Sequence, residues 1–115
     1  MSKANTFETE QLTDPAYYIL LSLLKAKHGY AIMKYVEDIT EGQVIIGPAT
    51  LYTLLKKMAQ GGFIKHTGEE SDRKKQYIIT KKGFKLIENE VMRRVNMAKH
   101  GVNVLNEEAQ SDYEE

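Results

Sequence analysis

Residues 47–58 read GPATLYTLLKKM, and this stretch determines how the rest of the chain is interpreted. A glycine and a proline at its start, and the glycines of QGG at 60–62, are typical of the two ends of a helix. On a wheel drawn at about 100° per residue, the predicted helix is apolar along one side. That side consists of Leu51, Leu54, Leu55 and Met58. The opposite side is small at its beginning, where Ala49 and Thr53 lie, and basic further along.

This small and then basic side suits a helix that enters a groove of DNA. Short side chains let the helix backbone approach base edges, and threonine hydroxyls can reach bases or phosphates. Thr50 and Tyr52 flank the same position, and the N-terminus of a helix itself favours phosphate. Lys56 and Lys57 follow one turn later, within reach of the sugar-phosphate backbone. The alternative is a solvated helix surface whose polar residues have no specific partner.

The flanking segments predict the fold around this helix. Two helices are predicted upstream, one at 13–27 with Asp14 as its N-cap and one at 30–39. Downstream, FIKHTG at 63–68 and QYIIT at 76–80 predict the two strands of a hairpin. Helices joined by a turn and followed by a basic hairpin are typical of a winged helix-turn-helix. The predicted fold class is therefore α+β, mainly α with a small β-hairpin.

Two further groups of side chains are candidates for contact with DNA. Arg73, Lys74 and Lys75 lie at the tip of the predicted hairpin, where a wing would follow the minor groove or the backbone. A solvated turn is the alternative, and the acidic neighbours of these residues argue against a simple basic patch. Tyr30 and Lys34 lie on the exposed side of the second predicted helix. The tyrosine hydroxyl could donate to a phosphate, or its ring could pack under the turn.

A long helix is predicted over residues 81–108, with Thr80 as its cap. Its apolar residues recur at intervals of 4, 4, 3, 4 and 3, which is a heptad-like seam. The seam consists of Ile87, Val91, Val95, Ala98, Val102 and Leu105. It could belong to the core of a single chain, but the distal half of the helix has no remaining segment to cover it. A second copy of the chain is the simplest cover, so we predict a homodimer.

The chain carries no net charge, but its charges are unevenly distributed. The segment 48–85 has nine Lys and Arg against three acidic residues, whereas the last nine residues, EEAQSDYEE, contain five acids and no base. A polyanion would sense the basic segment locally. The predicted organisation is an N-terminal arm at 1–12, a DNA-binding domain at 13–80, a dimerisation helix at 81–108 and an acidic tail at 109–115.

Signals for catalysis, metal binding and membrane insertion are weak. There is no cysteine, which excludes a disulfide framework, thiol catalysis and cysteine-ligated zinc. GQVIIGPAT at 42–50 has the glycine spacing of a phosphate-binding loop, but Pro48 replaces the lysine that such a loop needs. The N-terminal residues lack the apolar core of a signal peptide, and no apolar run approaches about 20 residues. We therefore expect no enzyme activity, no cofactor or metal, no membrane partner and a cytoplasmic location.

Three motifs, taken in order, resemble the PadR family of bacterial transcriptional regulators. They are ILLSLLKAKHGYAIMKYV at 19–36, GPATLYTLLKKMAQGGFI at 47–64 and RKKQYIITKKG at 73–83. The resemblance covers roughly residues 13–105 and rests on the set, because Y.IT..G alone also occurs in MarR-type proteins. It implies a homodimeric winged-helix repressor of a palindromic site, with the third helix in the major groove of double-stranded DNA and 68–76 as the wing.

The resemblance also bears on the cap, the dimer and the ligand. Many members of the family have a small hydroxyl residue where this chain has Gly47, so a side-chain cap is lost here. The last helix is implied to build the dimer. Some members bind flat aromatic drugs there through a tryptophan, but this chain has none, and Arg94 stands at about that position. The resemblance leaves open whether a different small molecule acts as an effector.

The alternative class is a winged-helix module that binds proteins and no DNA. The zero net charge and the acidic tail would suit it.

Overall fold

Four helices and a small antiparallel sheet make up the described part of the chain, in the α+β class that the sequence predicts. The computed structural model describes residues 11–67 and 75–112, with side chains as far as residue 109. The elements in chain order are α1 (Asp14–Ser22), β1 (Lys27–His28), α2 (Gly29–Ile39), α3 (Pro48–Gln60), β2 (Ile64–Thr67), β3 (Gln76–Ile79) and α4 (Lys81–Asp112). No helix in these two ranges is long and apolar enough to cross a membrane.

The sheet has three strands in the order β1-β3-β2, one more than the predicted hairpin. The additional strand, β1, pairs Lys27 with Tyr77 and His28 with Gln76 of β3. Because it is only two residues long, it has no alternation of polar and apolar residues for the sequence to display. Its formation also shortens α1, which ends at Ser22 instead of residue 27. The Lys27 ammonium donates to the carbonyl oxygen of Ser22 at 2.7 Å, at this helix end.

The start of α1 differs from the prediction by one residue. Thr13, not Asp14, is the N-cap, and its hydroxyl oxygen accepts a hydrogen bond from the N–H of Ala16 at 3.4 Å. Both residue types are favoured caps, so the sequence alone could not separate them. Asp14 is the first helical residue, and its carboxylate turns towards α4, where Arg94 lies 3.0 Å away.

One buried cluster holds the first three helices together. Its fully buried members include Ile19, Leu20, Leu23, Ile32, Val36, Leu51, Leu55 and Met58. The predicted apolar side of α3 is confirmed, with Leu54 only half-buried at its margin. On α2, Ile32 and Val36 are buried, whereas Tyr35 and Ile39 of the same helix stay exposed. Each fully buried aliphatic side chain contributes about 1.5–3 kcal/mol, so this cluster fixes the orientation of α3.

The beginning of α4 is fixed to the start of the hairpin by Thr80. Its hydroxyl accepts the N–H of Gly83 at 3.1 Å, as a helix cap, and donates to the carbonyl oxygen of Gly62 at 2.7 Å. Its backbone N–H donates to the carbonyl oxygen of Phe63 at 3.0 Å. Gly83 packs directly on that same carbonyl, so that a methyl group on its Cα would collide with it. The predicted cap is thus confirmed, and the glycine that follows permits a close backbone contact.

The two halves of α4 have different surroundings. Ile87 is only 2% exposed and belongs to the core of its own chain, which leaves it no surface for a partner and corrects its assignment to a dimer seam. From Val95 to Ala109, by contrast, every side chain is exposed. The helix continues to Asp112, four residues beyond the predicted end, so part of the predicted acidic tail is helical. We call residues 95–112 the free half of α4, a name that refers only to the solvent exposure of its side chains as far as residue 109, since Glu108 has an interaction partner.

Glu90 lies where α4 leaves the domain and is only 5% exposed. Arg93 donates to both of its carboxylate oxygens, at 3.0 and 2.6 Å, and Arg94 donates to it at 3.2 Å. The hydrogen bonds from Arg93 hold the pKa of Glu90 below its ordinary value, aided by those from Arg94 and opposed by burial. The folded chain therefore stabilises the ionised form of the Glu90 side chain.

We expect Gly83→Ala to destabilise the fold by about 1–3 kcal/mol, the usual cost of overpacking. The new methyl group meets a backbone carbonyl, which cannot move aside, and this outweighs the gain of roughly 1 kcal/mol in helix propensity. Gly101→Ala is the matched control, since nothing lies within 4 Å of a methyl group there and the same gain should appear unopposed. Urea denaturation measures both variants, and equal stability of the two would contradict the close contact.

The lowered pKa of Glu90 should make the fold sensitive to acid. A carboxyl group with a lowered folded-state pKa stabilises the fold above its unfolded value, about 4.3 for Glu, and that contribution is lost as the pH falls through the folded value. The free energy of unfolding of the wild type should therefore drop below about pH 4.3. Glu90→Gln lacks this titration, so the gap in free energy of unfolding between the wild type and Glu90→Gln should narrow below that pH. A gap that stays constant from neutral pH to the end of the acid range would contradict the assignment.

Candidate nucleic-acid interface

The outward side of α3 is a continuous polar surface. Its members Ala49, Thr50, Tyr52, Thr53, Lys56 and Lys57 are all exposed, as the sequence predicts. The side is exposed because Leu51, Leu55 and Met58 occupy the opposite side and are buried. No side chain caps the helix N-terminus at Gly47, so the N–H groups of the first turn keep their capacity to bind an anion. The surface can thus offer hydroxyls and backbone donors at its front and ammonium groups behind.

A second polar surface lies at the start of α2. Tyr30 is 70% exposed, which excludes the alternative in which its ring packs under the turn. His28, the N-cap of this helix, makes no side-chain capping bond, so this helix start is also open. Lys34 is exposed and lies 3.7 Å from Asp38 on the same helix. Exposed pairs of this kind are worth little, so the ammonium group can exchange its partner.

Tyr52 connects the two surfaces through Gly29. The tyrosine hydroxyl and ring lie against the Cα of this buried glycine, and any side chain there would collide with them. The glycine of the HGY motif is therefore required for close packing, with no left-handed backbone conformation involved. The Tyr52 side chain is still half exposed. The contact with Gly29 therefore fixes the position of a side chain that also faces solvent.

A cleft of about 280 Å³ separates α3 from the hairpin. Its polar lining consists of Tyr52, Lys56, Gln60, His66, Lys75 and Tyr77. The His66 and Tyr77 rings are 4.8 Å apart, on paired positions of β2 and β3. Burial raises the pKa of Tyr77, and the nearby Tyr52 raises it further. His66 and Tyr77 were not predicted as site residues, although strand pairing could have placed them beside α3.

An open groove of about 570 Å³ borders the front of α3 on its other flank. It runs between the start of α1 and α3, and Thr13, Pro15, Ala49, Thr50, Thr53 and Leu54 line it. The small side chains on α3 create this groove, because longer ones would fill the space. The front of the helix is therefore accessible from the side as well as end-on.

The predicted wing cations are only partly within the described residues. Lys75 is exposed and lines the cleft beside α3, so the structure brings it together with Lys56. Arg73 and Lys74 lie outside the described residues. Among the residues that are described, no group of three or more His, Asp or Glu side chains could hold a metal ion.

Arg94, the candidate for contact with an effector, has its donors directed to groups of its own chain. Nη1 donates to Asp14 at 3.0 Å, Nη2 to the carbonyl oxygen of Leu12 at 2.8 Å, and Nε to Glu90 at 3.2 Å. Its guanidinium group also lies 4.2 Å from the centre of the Tyr17 ring. Through these contacts Arg94 links α4 to the start of α1 and acts as a tether between the two helices.

The rest of the predicted seam lies on the free half of α4. Val95, Ala98, Val102 and Leu105 are exposed, with Leu105 at 69%, whereas Val91 is half-buried against the core. The seam is thus a short apolar stripe that begins where the domain ends.

Comparison with known proteins agrees with this geometry. The model of the transcriptional regulator PadR-like family matches residues 19–89. The chain is 29% identical to a transcriptional regulator from Clostridium thermocellum, Cth-833, over 76% of this chain and 88% of that one, with a TM-score of 0.64. The comparison with curated proteins gives no match.

Two more distant structures share the fold. A PadR family transcriptional regulator from Eggerthella lenta is 24% identical over 79% of this chain and 76% of that one, with a TM-score of 0.61. RosR of H. salinarum is 18% identical over 90% and 99% of the two chains, with a TM-score of 0.64. Since the family match spans more than half of the chain and the fold agrees, the chain belongs to the PadR-like family of transcriptional regulators, which is not a family of enzymes.

Proposed function

We propose that this chain is a homodimeric repressor that binds a palindromic operator through α3. The observation that carries the proposal is the exposed side of α3, which is small at its open N-terminus and basic behind it. A surface of this shape admits the helix to the major groove and supplies cations to the backbone on either side.

Phosphate contacts would supply most of the affinity. Lys56 and Lys75 are exposed at the cleft, and Lys57 is exposed beside Lys56 on α3. Tyr30 and Lys34 extend the polar surface to α2. Arg73 and Lys74 would add cations from the tip of the wing. Thr50, Tyr52 and Thr53, at the front of α3, would orient the helix or contact bases.

A homodimer follows from the free half of α4. The stripe of Val95, Ala98, Val102 and Leu105 is exposed on a single chain, and a second copy would cover it. A two-fold dimer presents two α3 helices to two half-sites, which is why the operator should be palindromic. Occupation of such a site beside a promoter would block transcription. The place of action would be the cytoplasm, where a bacterial chromosome lies.

An effector, if the protein has one, would need a site other than the guanidinium of Arg94. It would also have to bind the DNA-competent and DNA-incompetent dimers with different affinity, since equal affinity shifts no equilibrium.

Replacing Lys56 or Lys75 by Ala should weaken binding to every duplex and reduce the salt dependence. Each phosphate contact contributes roughly 0.9 to the slope of log K against log salt concentration, so each variant should lose about that amount. Lys99→Ala, the same change on the free half of α4, should keep the slope. Fluorescence anisotropy over a salt series measures it. Absence of wild-type binding to any duplex at low salt would favour the protein-interaction module instead.

Replacing Val102 by Asp should give monomers in sedimentation experiments. The change places a charge in the middle of the apolar stripe, where two copies would have to bury it. Asn103→Asp introduces the same acid one residue further on, away from the stripe, and should leave the dimer intact. A Val102→Asp protein that still sediments as a dimer would show that the free half of α4 is not the interface.

A further inference from the structure

Arg94 joins α4 to the start of α1 at the point where the helix leaves the domain. Residues 95–109 are all exposed, whereas Arg94 is held by groups from two different segments of the chain. Asp14 and the carbonyl of Leu12 come from the start of α1, 80 and 82 residues earlier in sequence. Glu90, one turn back on α4, accepts the hydrogen bond from Nε. Each of the three guanidinium nitrogens thus has its own acceptor.

The contacts of Arg94 hold α4 at one point, and a second set of contacts holds the start of the same helix. At the helix start, Thr80 and Gly83 pack on the backbone of residues 62–63. From residue 83 to residue 94 the helix rises by about 16 Å. Between them, Ile87 buries one side of the helix without a directional bond. Two bonded points at this separation define the direction of a helix axis, and Arg94 supplies the second of them.

A change in that direction would be amplified along the free half of α4. Its 18 residues, 95–112, span about 27 Å, so a tilt of about 5° moves the far end by about 2 Å. In the proposed dimer the two DNA-reading helices are joined through these free halves. The tilt therefore sets the distance and angle between them, and with it the separation of the half-sites that they can contact together.

Arginine is required at this position by the geometry of its acceptors. Its planar guanidinium group holds donors in a fixed fork, and here it also lies over the Tyr17 ring at 4.2 Å. A lysine would keep the charge but could not reach three separate acceptors with fixed orientation.

Arg93 provides an internal comparison. It also binds Glu90, but its other contact is the sulfur of Met97 on the same helix, 2.9 Å away. Arg93 thus stiffens α4 without joining it to α1. The adjacent arginines have the same charge and different connections.

We propose that Arg94 is a positioning residue that fixes the direction of α4 on the DNA-binding domain and so determines the half-site spacing of the operator. The proposal deepens the proposed function and rests on it in its second part, since a spacing preference needs a dimer that binds DNA.

The direction of α4 can be measured without DNA. The chain has no cysteine, so Gln60→Cys on α3 and Asn106→Cys on the free half allow specific spin labels. Labelled protein is mixed with excess unlabelled protein, and double electron–electron resonance gives the distance distribution within one chain. Arg94→Lys and Asp14→Asn should broaden this distribution by about 1.5 Å or more, because a tilt of about 5° displaces residue 106, about 18 Å beyond residue 94, by about that amount. Arg93→Lys should leave it unchanged.

The spacing preference is measured with duplexes selected by the wild type from a random library. The selected site is rebuilt with its centre shortened or lengthened by one and two base pairs. We expect the wild type to lose about tenfold or more in affinity on these duplexes, the cost of about one lost base contact. Arg94→Lys should lose less than about threefold, because a loosely held α4 accommodates the altered spacing.

Each outcome decides a separate point. An unchanged distance distribution in both Arg94→Lys and Asp14→Asn would overturn the positioning role. A broadened distribution with the spacing profile of the wild type would overturn the specificity role. Selection of no duplex by the wild type would refute the proposed function and the spacing claim with it, while the distances would still report on α4. Arg94→Lys keeps the charge, and Asp14→Asn keeps an oxygen acceptor while removing the ion pair, so the test does not depend on a variant that fails to fold.

Discussion

The burial of one side of α3 is the constraint on which the rest of the structure depends. Leu51, Leu55 and Met58 enter the cluster formed with α1 and α2, and this leaves only one orientation for the helix. The side with short and basic residues must then face outwards. Tyr52 is held by its seat on Gly29, and the hairpin that follows packs against the same helix. Core packing and the proposed DNA surface are thus two sides of one helix.

Local patterns of the sequence were sufficient for much of this fold. The boundaries of α3 follow from its glycines and its apolar periodicity, and the hairpin follows from two short apolar runs. The two-residue strand β1 could not be predicted, because pairing with β3 creates it and no pattern marks it. Thr13 and Asp14 are equally good caps, and only the fold decides between them.

Long-range contacts account for the remaining differences. A heptad-like pattern shows that a helix buries one side, but it does not show against what. Ile87 fits the pattern and buries itself in its own chain, whereas Val102 fits it equally and stays exposed. Arg94 binds residues about 80 positions away, and no local signal reveals that a surface arginine is a tether. His66 and Tyr77 differ from Arg94, because pairing of the two predicted strands already brings them together beside α3.

The position of β3 in the centre of the sheet has a mechanical consequence. Because β1 and β2 both pair with it, β3 connects the segment between α1 and α2 to the strand that follows α3. Movement of β3 away from the three helices would therefore break the pairing of Lys27 with Tyr77. A displacement of the hairpin base would also be transmitted to the start of α2, which β1 directly precedes.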